Sequence, residues 1–481
     1  MAAFVFFAIA FWISGYHETW RDEYQAWLIA DTAESFSKLI TNHKYEGQPI
    51  FWHCLLWLFS QFGMGFGAVK IFHLAIAATT VGLIWRFAPF LLIINVLLSF
   101  GYYFLFEYSI IVRPYGLAVL GLVLFCIFYK SKSRHLVWLA LAIGLVANTQ
   151  TYGVVLAGWL ALLWLWKAFQ PDNAFPLREK LIGGTIIGLS FVAAAVMIFP
   201  EPDNGFVNPA QPTLEAWKIA EVFDGYLRAH LPIPKPGKLQ FWNSNIIDSL
   251  PRLVTGATGF FLFLFWLFCF RKEKKWLIFF LTGIGLFLLT NYLLLHYPFP
   301  RNYRHSGHYF MILLACSWLF LQNEKSGNSK IRNHLWLNSG LLIILFFQLI
   351  ATLMVVVKEV SVPFSNSKAT VEYIRENELS KLPIVNTGDA EMTSISGAID
   401  QSIYYLNRNA YGSFAIWKKF AEIQPNDIEK SVLSFLKNND LRECLYMSTS
   451  PLESLQIYQV ATFGNPNVTK ESFFLYLVHV E

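Results

Sequence analysis

The segment HETWRDEYQAWLIADTAESFSKLITNHKYEGQPIFWH, residues 17–53, decides how the rest of the chain is interpreted. It follows an apolar opening, MAAFVFFAIAFWISGY, that has no basic region and no small-residue cleavage site after it, and this predicts a retained membrane helix. Residues 50–62 are apolar, but about 13 residues are too few to cross a bilayer core that needs about 20. We therefore expect residues 16–67 to form one outer loop whose helices lie along the membrane.

The composition is that of a membrane protein. The 481 residues are 55% hydrophobic and 14% charged, whereas soluble domains are about 25% charged. The formal net charge of +5 is not interpreted as nucleic-acid binding, because Lys and Arg of membrane proteins collect in cytoplasmic loops. Four of the five cysteines lie in apolar segments, and Cys444 lies alone in a polar region, so no disulfide framework is expected.

Apolar segments of suitable length predict a polytopic helical domain over residues 1–357. With the first helix they give about eleven spans, near 68–85, 89–106, 110–129, 135–147, 152–166, 181–199, 253–270, 276–297, 307–321 and 335–357. The charged loops near Lys132, Arg178, Lys274 and 323–334 are expected in the cytoplasm. Residues 200–252 then form a large outer loop, and the protein is a multi-pass protein of the inner (plasma) membrane.

A polar region follows the last predicted span. Helix-like runs such as KATVEYIREN alternate with strand-like runs such as LPIVNTG, RECLYMS and SFFLYLVHV. Residues 358–481 are therefore predicted to form a small α/β domain, exported to the same outer side.

Two adjacent carboxylates, Asp22 and Glu23, come directly after the first helix, at the expected water boundary. Such a pair could supply a general base and its support. The alternative is a solvated acid pair with Arg21 as a salt-bridge partner, and the sequence leaves both readings open.

Basic residues at outward helix ends run against the usual orientation rule. Arg113, Arg301 and Arg304 are so placed, and the guanidinium fork suits phosphate oxygens. They could instead pair with Glu107 or an outer-loop acid, or extend to lipid head groups. Lys70, near the outer end of the second span, is a weaker candidate of the same kind.

Other polar features are less specific. The segment ANTQTYG, residues 147–153, has the character of an outer turn between two spans. The histidines have neither HExxH nor comparable metal-ligand spacing, so no metal site or cofactor is predicted, although a divalent metal that bridges Asp22 and a histidine stays open.

The order of these features resembles the membrane glycosyltransferases of the GT-C fold, in particular the bacterial protein mannosyltransferase and aminoarabinose transferase group (glycosyltransferase family 39-like). The resemblance covers residues 1–357 and is carried by four segments: RDEYQAW, YEGQPIFWH, VRPYGL and RNYRH. Gln48-Pro49 departs from the His-Pro of many relatives, and the C-terminal region has no motif of the family.

The resemblance implies a glycosyltransferase that uses a polyprenyl-phosphate sugar donor and a glycan, lipid or protein acceptor at the outer face. Asp22 would be the general base, with Glu23 beside it. The matching segments contribute the substrate-binding candidates Glu46, Arg113, Tyr115, Arg301, Arg304 and His305, and Lys70 is added to them from its position near the outer end of the second span.

Two other classes of protein stay open from the sequence. A transporter or flippase of a lipid-linked or anionic substrate would also carry ionisable residues at membrane depth, but such proteins commonly show inverted repeats. A receptor or scaffold anchored by its helices would need far fewer than eleven of them.

Overall fold

The computed structural model of the protein describes residues 1–130, 136–171, 175–205, 215–294, 302–323, 331–452, 458–464 and 467–480. Eighteen α-helices lie within these residues. They are α1 (Ala2–Ser14), α2 (Arg21–Asp31), α3 (Phe36–His43), α4 (Phe51–Gln61), α5 (Phe66–Phe87), α6 (Leu92–Ser99), α7 (Tyr115–Tyr129), α8 (Leu136–Ala147), α9 (Thr151–Phe169), α10 (Leu177–Ile198), α11 (Ala216–His230), α12 (Arg252–Phe270), α13 (Lys274–Leu293), α14 (Tyr303–Asn323), α15 (Ile331–Ser361), α16 (Ser367–Glu376), α17 (Met392–Ile399) and α18 (Ile428–Asn438).

Within the described residues, six helices are long and apolar enough to cross a bilayer: α5, α9, α10, α12, α13 and the part of α15 from Leu335 to Ser361. The shorter apolar helices α1, α7 and α8 add to the same helical body. The protein is thus a helical membrane protein, while the predicted number of about eleven spans is not reproduced by length and composition alone.

The largest departure from the predicted spans lies at residues 89–129. Instead of two long helices, the chain forms the short α6, a π-helical turn at Tyr102–Glu107 and an irregular link before α7. Pro114 sits just before α7, where its missing N–H costs nothing and its ring would clash with any preceding turn. The link places Arg113 two residues before the start of α7.

The predicted first outer loop, residues 16–67, contains α2, α3 and α4. Helix α4 has 11 residues, a length of about 16 Å that is about half of a bilayer core, and it packs against α2. A helix of this length is too short to cross a bilayer core by itself, and the outer location of residues 50–62 stays a prediction.

The second predicted outer loop, residues 200–252, contains a helix that the sequence analysis did not predict. Helix α11 packs directly on α12, where a Cβ at Gly259 would lie 2.1 Å from the carbonyl oxygen of Phe223. The buried Asp224 pairs there with Arg228 at 2.6 Å and with Arg252 at 3.0 Å. A glycine face and a buried ion pair hold this helix against the membrane body.

The C-terminal region is an α/β domain, which begins at α16 because α15 continues to Ser361. Its sheet contains β1 (Ile384–Asn386), β2 (Ile403–Tyr405), β3 (Ala410–Gly412), β4 (Glu443–Ser448), β5 (Tyr458–Phe463) and β6 (Phe473–His479) in the order β3-β2-β1-β4-β6-β5. Strand β1 is parallel to both β2 and β4. The three strand-like runs of the sequence correspond to β1, β4 and β6.

Sidedness can be tested with single cysteines. Lys437→Cys on α18 and Lys274→Cys at the start of α13 should lie on opposite sides of the membrane, with position 437 outside. In intact cells, a thiol probe that cannot cross the membrane should label position 437 and reach position 274 only after lysis. Labelling of 274 in intact cells with none at 437 would reverse the orientation. Background is low because four of the native cysteines are buried and Cys54 is half-buried.

Candidate active site

The start of α2 is held by Glu23. One carboxylate oxygen accepts the backbone N–H of Trp20 at 3.2 Å, as in a capping box, and the other accepts the N–H of Val112 at 2.7 Å. Glu23 is buried, so these bonds tie the beginning of α2 to the link before α7. As a result, Asp22 and Arg113 become neighbours although 91 positions separate them.

Asp22 lies at the centre of three arginines. Its Oδ2 accepts hydrogen bonds from Arg113 at 2.6 Å and from Arg304 at 3.1 Å, and its Oδ1 lies 3.4 Å from Nε of Arg21. Burial alone would raise the pKa of the Asp22 carboxyl, but the positive charges outweigh burial and hold its pKa well below the usual range. Asp22 is therefore a carboxylate at neutral pH.

Two further candidates lie against the same arginines. The Tyr115 hydroxyl is 3.3 Å from Nδ1 of His305, and Nε of Arg304 is 3.4 Å from Nε2 of that ring. The His305 ring stacks on Tyr152, with 4.6 Å between centroids. The ANTQTYG turn therefore forms part of the site wall, beyond the plain turn that the sequence suggested.

Glu46 approaches the site from the other side. Gln25 donates to its carboxylate at 2.8 Å, and Trp417 of the C-terminal domain hydrogen-bonds to it as well. Burial raises the pKa of Glu46 to about 7, against the lowering effect of these bonds and of the charge of Arg113. Glu46 therefore changes protonation near neutral pH.

Not every predicted residue joins this cluster. Lys70 lines a different cavity together with Glu18 and Glu359, and its ammonium group is 3.4 Å from the carbonyl oxygen of His17. Arg301 lies outside the described residues.

A buried histidine between two acids supports the site, and sequence reasoning missed it. His17 lies 3.0 Å from Glu23 and 2.6 Å from Glu359 at the end of α15. Burial would lower the pKa of His17, but the two carboxylates outweigh burial and raise the pKa to about 9. Because Glu359 is 342 positions away in the chain, no local pattern points to this pair.

A basic cavity of about 370 Å³ opens beside Arg304. Its charged lining comprises the cations Arg21, Lys238, Arg304 and Lys470 and one acid, Asp248, which pairs with Arg228 at 2.6 Å. Trp20 and Trp242 contribute aromatic walls, and the Arg304 guanidinium lies 5.6 Å from the centroid of Trp242. An excess of positive charge with apolar walls suits an anionic amphiphile.

The C-terminal domain is bonded directly to α2. Arg21 pairs with Glu391 at 2.5 Å, and the amide of Gln25 bonds both backbone groups of Ala415, at 2.8 and 3.0 Å. A Cβ at Gly397 would lie 2.2 Å from the Tyr24 ring, so only glycine permits this approach of α17. The domain thus forms one wall of the site.

Within the described residues, no group of three or more His, Cys, Asp or Glu side chains is arranged to hold a metal ion. The acids of the site are bonded to arginines, to a histidine and to amides.

No family model matches the chain, and no curated protein matches it. Among solved structures, the chain is similar to the mycobacterial arabinofuranosyltransferase AftD, with a TM-score of 0.44 and 12% sequence identity. The similarity covers 100% of this chain and 40% of that chain, so the chain spans about two fifths of the length of its structural neighbour.

Proposed function

We propose that this chain is a membrane glycosyltransferase of the GT-C type, which moves a sugar from a polyprenyl-phosphate donor to an acceptor at the outer face of the membrane. The observation that carries the proposal is the convergence of Arg113 and Arg304, from separate parts of the chain, on the carboxylate of Asp22 beside a basic cavity. Such a transfer needs a carboxylate that can accept a proton from the acceptor. It also needs cations, here a pair of guanidinium groups, that stabilise an anionic leaving group.

The donor phosphate would occupy the basic cavity, with the lipid chain directed toward the bilayer. Arg304 lines this cavity and holds Asp22, so it connects the leaving group to the base. In the transfer, the bond from the anomeric carbon to the phosphate oxygen breaks and its electron pair stays on the phosphate. The arginines stabilise the negative charge that develops there.

Asp22 would take the proton of the acceptor hydroxyl or amine as the new glycosidic bond forms. In the free protein its pKa is too low for an effective base, because the arginines stabilise the carboxylate. A bound phosphate would compete for the same guanidinium groups and so raise the basicity of Asp22. Donor binding would then activate the base, while Glu23 would position α2 and remain outside the chemistry.

A transfer assay tests the proposal. The purified protein in detergent or nanodiscs should move sugar from at least one member of a panel of polyprenyl-phosphate sugars to an acceptor extract. Transport of the intact lipid-linked sugar across vesicles without cleavage of the phosphate bond would favour the transporter class instead.

The arginine pair provides a direct prediction. Arg113→Ala or Arg304→Ala should weaken donor binding by about 1.5 to 3 kcal/mol, the usual contribution of a charged hydrogen bond. A lysine at either position should restore only part of the lost affinity, because its ammonium group cannot form the two parallel hydrogen bonds of a guanidinium. Since both residues bond the same oxygen of Asp22, the double variant should lose less than the sum of the single losses.

Donor affinity is measured by competition with a labelled polyprenyl phosphate. Arg271→Ala is the matched control, because this exposed arginine donates to the carbonyl oxygen of Phe268 at the end of α12 and does not line the cavity. A well-folded Arg304→Ala protein with wild-type donor affinity would remove that residue from the phosphate site.

A further inference from the structure

The basic cavity beside Arg304 has one wall that comes from the C-terminal domain. Residues 468–470, just before β6, line it together with Arg304. The side-chain amide of Gln240, another lining residue, donates to the carbonyl oxygen of Asn467 at 3.2 Å. The cavity therefore lies where the C-terminal domain meets the helical body.

This wall is anchored in the helical body. The backbone N–H groups of Val468 and Thr469 donate to the carbonyl oxygens of Pro363 and Phe364, at 3.2 and 3.1 Å. Val468 is only 4% exposed and packs in the apolar core of the membrane helices. As a result, the backbone at residue 470 has a fixed position at the cavity.

Lys470 has a backbone conformation that lysine rarely adopts. Its φ is 64°, in the left-handed region, where the Cβ is crowded by the following carbonyl oxygen. The Asn467 side chain holds this conformation, because its Oδ1 accepts the N–H of Glu471 at 3.1 Å and its Nδ2 donates to the Glu471 carbonyl oxygen at 2.6 Å. Glycine would adopt the same φ without crowding, and residues held in such strain cluster at ligand sites.

The charge of Lys470 is not used within the fold. Its side chain is exposed, and it forms no ion pair with a carboxylate of the described residues. Asp248, the acid of the cavity lining, is already bonded by Arg228 at 2.6 Å and by the backbone N–H of Asn245 at 2.9 Å. A cation without an ion pair, in a cavity with an excess of positive charge, attracts an anion.

The surroundings of the cavity suit an anion that carries an apolar chain. Leu239, Ile246 and Leu250 lie within two positions of lining residues and are 38%, 46% and 47% exposed. Leu250 stands two residues before α12, one of the helices long and apolar enough to cross the bilayer. An anionic head group in the cavity would thus have apolar surface beside it for a prenyl chain.

We propose that the C-terminal domain completes the donor site, and that Lys470 together with Arg304 binds the phosphate of a prenyl-phosphate lipid. The role as donor site rests on the proposed function, whereas binding of a prenyl phosphate stands without it. When the bond from the anomeric carbon to the phosphate oxygen breaks, the phosphate gains one negative charge. The Lys470 ammonium group, on its flexible four-carbon stem, would stabilise that charge.

Equilibrium binding to the purified full chain in detergent tests the proposal. The probes are farnesyl phosphate, farnesol and inorganic phosphate, which separate the lipid phosphate from the chain alone and from the anion alone. Farnesyl phosphate should bind more tightly than either of the others. Lys470→Gly should weaken its binding by about 5- to 10-fold and leave farnesol unaffected.

The melting temperature of the same variant excludes a merely structural effect. Lys470→Gly should melt at the wild-type temperature or above it, because glycine adopts a φ of 64° without the crowding that lysine has. Loss of affinity without loss of stability then reports the missing charge. Lys470→Arg keeps that charge and should retain most of the affinity for farnesyl phosphate.

Lys437→Gln is the matched control, because it removes the same charge from an exposed site on α18 of the same domain. It should bind farnesyl phosphate as the wild type does. The proposal is overturned if farnesol or inorganic phosphate binds as tightly as farnesyl phosphate. It is also overturned if Lys470→Gly binds farnesyl phosphate normally, or if Lys437→Gln loses as much affinity as Lys470→Gly.

Arg304→Ala and the transfer assay separate this proposal from the proposed function. Weaker farnesyl phosphate binding in Arg304→Ala with normal binding in Lys470→Gly would retain the donor site and reject the part of the C-terminal domain in it. Binding that depends on Lys470 in a protein that transfers no sugar would retain the prenyl-phosphate site and reject the glycosyltransferase.

Discussion

Asp22→Asn is expected to reduce turnover by at least about 100-fold while it leaves donor binding intact or makes it tighter. The loss follows because proton removal by a positioned carboxylate contributes a factor of about 100 to 10,000, and an amide has no such basicity. The gain in donor affinity follows because Arg113 and Arg304 no longer compensate a carboxylate and are free to bind phosphate. The combination is measured by turnover and by competitive donor binding on the same preparation.

The arginine variants and Asp22→Asn are expected to affect different quantities, which distinguishes the base from the phosphate site. An arginine variant should lose donor affinity, whereas Asp22→Asn should lose only turnover. Asp31→Asn is the matched control, because this acid ends the same helix and accepts a hydrogen bond from Ser60 at 2.6 Å, away from the arginines. Near-normal turnover of Asp22→Asn would exclude Asp22 as the base and direct attention to Glu46.

His17→Gln is expected to remove most of the loss of stability that the wild type shows in alkali. The pKa of His17 is about 9 in the folded protein and about 6.5 in an unfolded chain. Because the folded value is the higher, the stabilisation by charged His17 is full below pH 6.5 and disappears as the pH rises through about 9. The change corresponds to about 3 kcal/mol.

The measurement is the melting temperature in detergent between pH 6 and 10, followed by tryptophan fluorescence. The variant should melt lower than the wild type at pH 6, because Glu23 and Glu359 then face each other without a cation, and its curve should be flatter above pH 6.5. His43→Gln is the control: burial lowers the pKa of His43 to about 4, so its titration lies below this range. A wild-type slope in His17→Gln would contradict the assignment of the buried cation.

Local sequence patterns were sufficient to single out two arginines of the candidate site. Arg113 and Arg304 stood out because arginines at outward helix ends oppose the usual charge distribution, and the structure brings both to Asp22. The α/β character of the C-terminal region was also readable, since two of the short strand-like runs correspond to β4 and β6.

What the sequence did not reveal are contacts between distant segments. Gln25 bonds Ala415 across 390 positions, and His17 bonds Glu359 across 342, so neither contact leaves a periodic or motif signal. The different roles of Glu23 and Asp22 could not be read from the sequence either. Adjacent acids have similar local patterns, and the long-range bond of Glu23 to Val112, together with its bond to His17, distinguishes it from Asp22.

The bonds of Glu391, Ala415 and Trp417 to the first outer loop have a consequence for biosynthesis. These residues leave the ribosome hundreds of positions after α2, so the membrane helices can be inserted while the site still lacks one wall. Arg21 and Gln25 acquire their partners Glu391 and Ala415 only when the last domain has folded and docked. A nascent or truncated chain therefore has an incomplete candidate active site, and under the proposed function competence would arise late, as a final step of maturation.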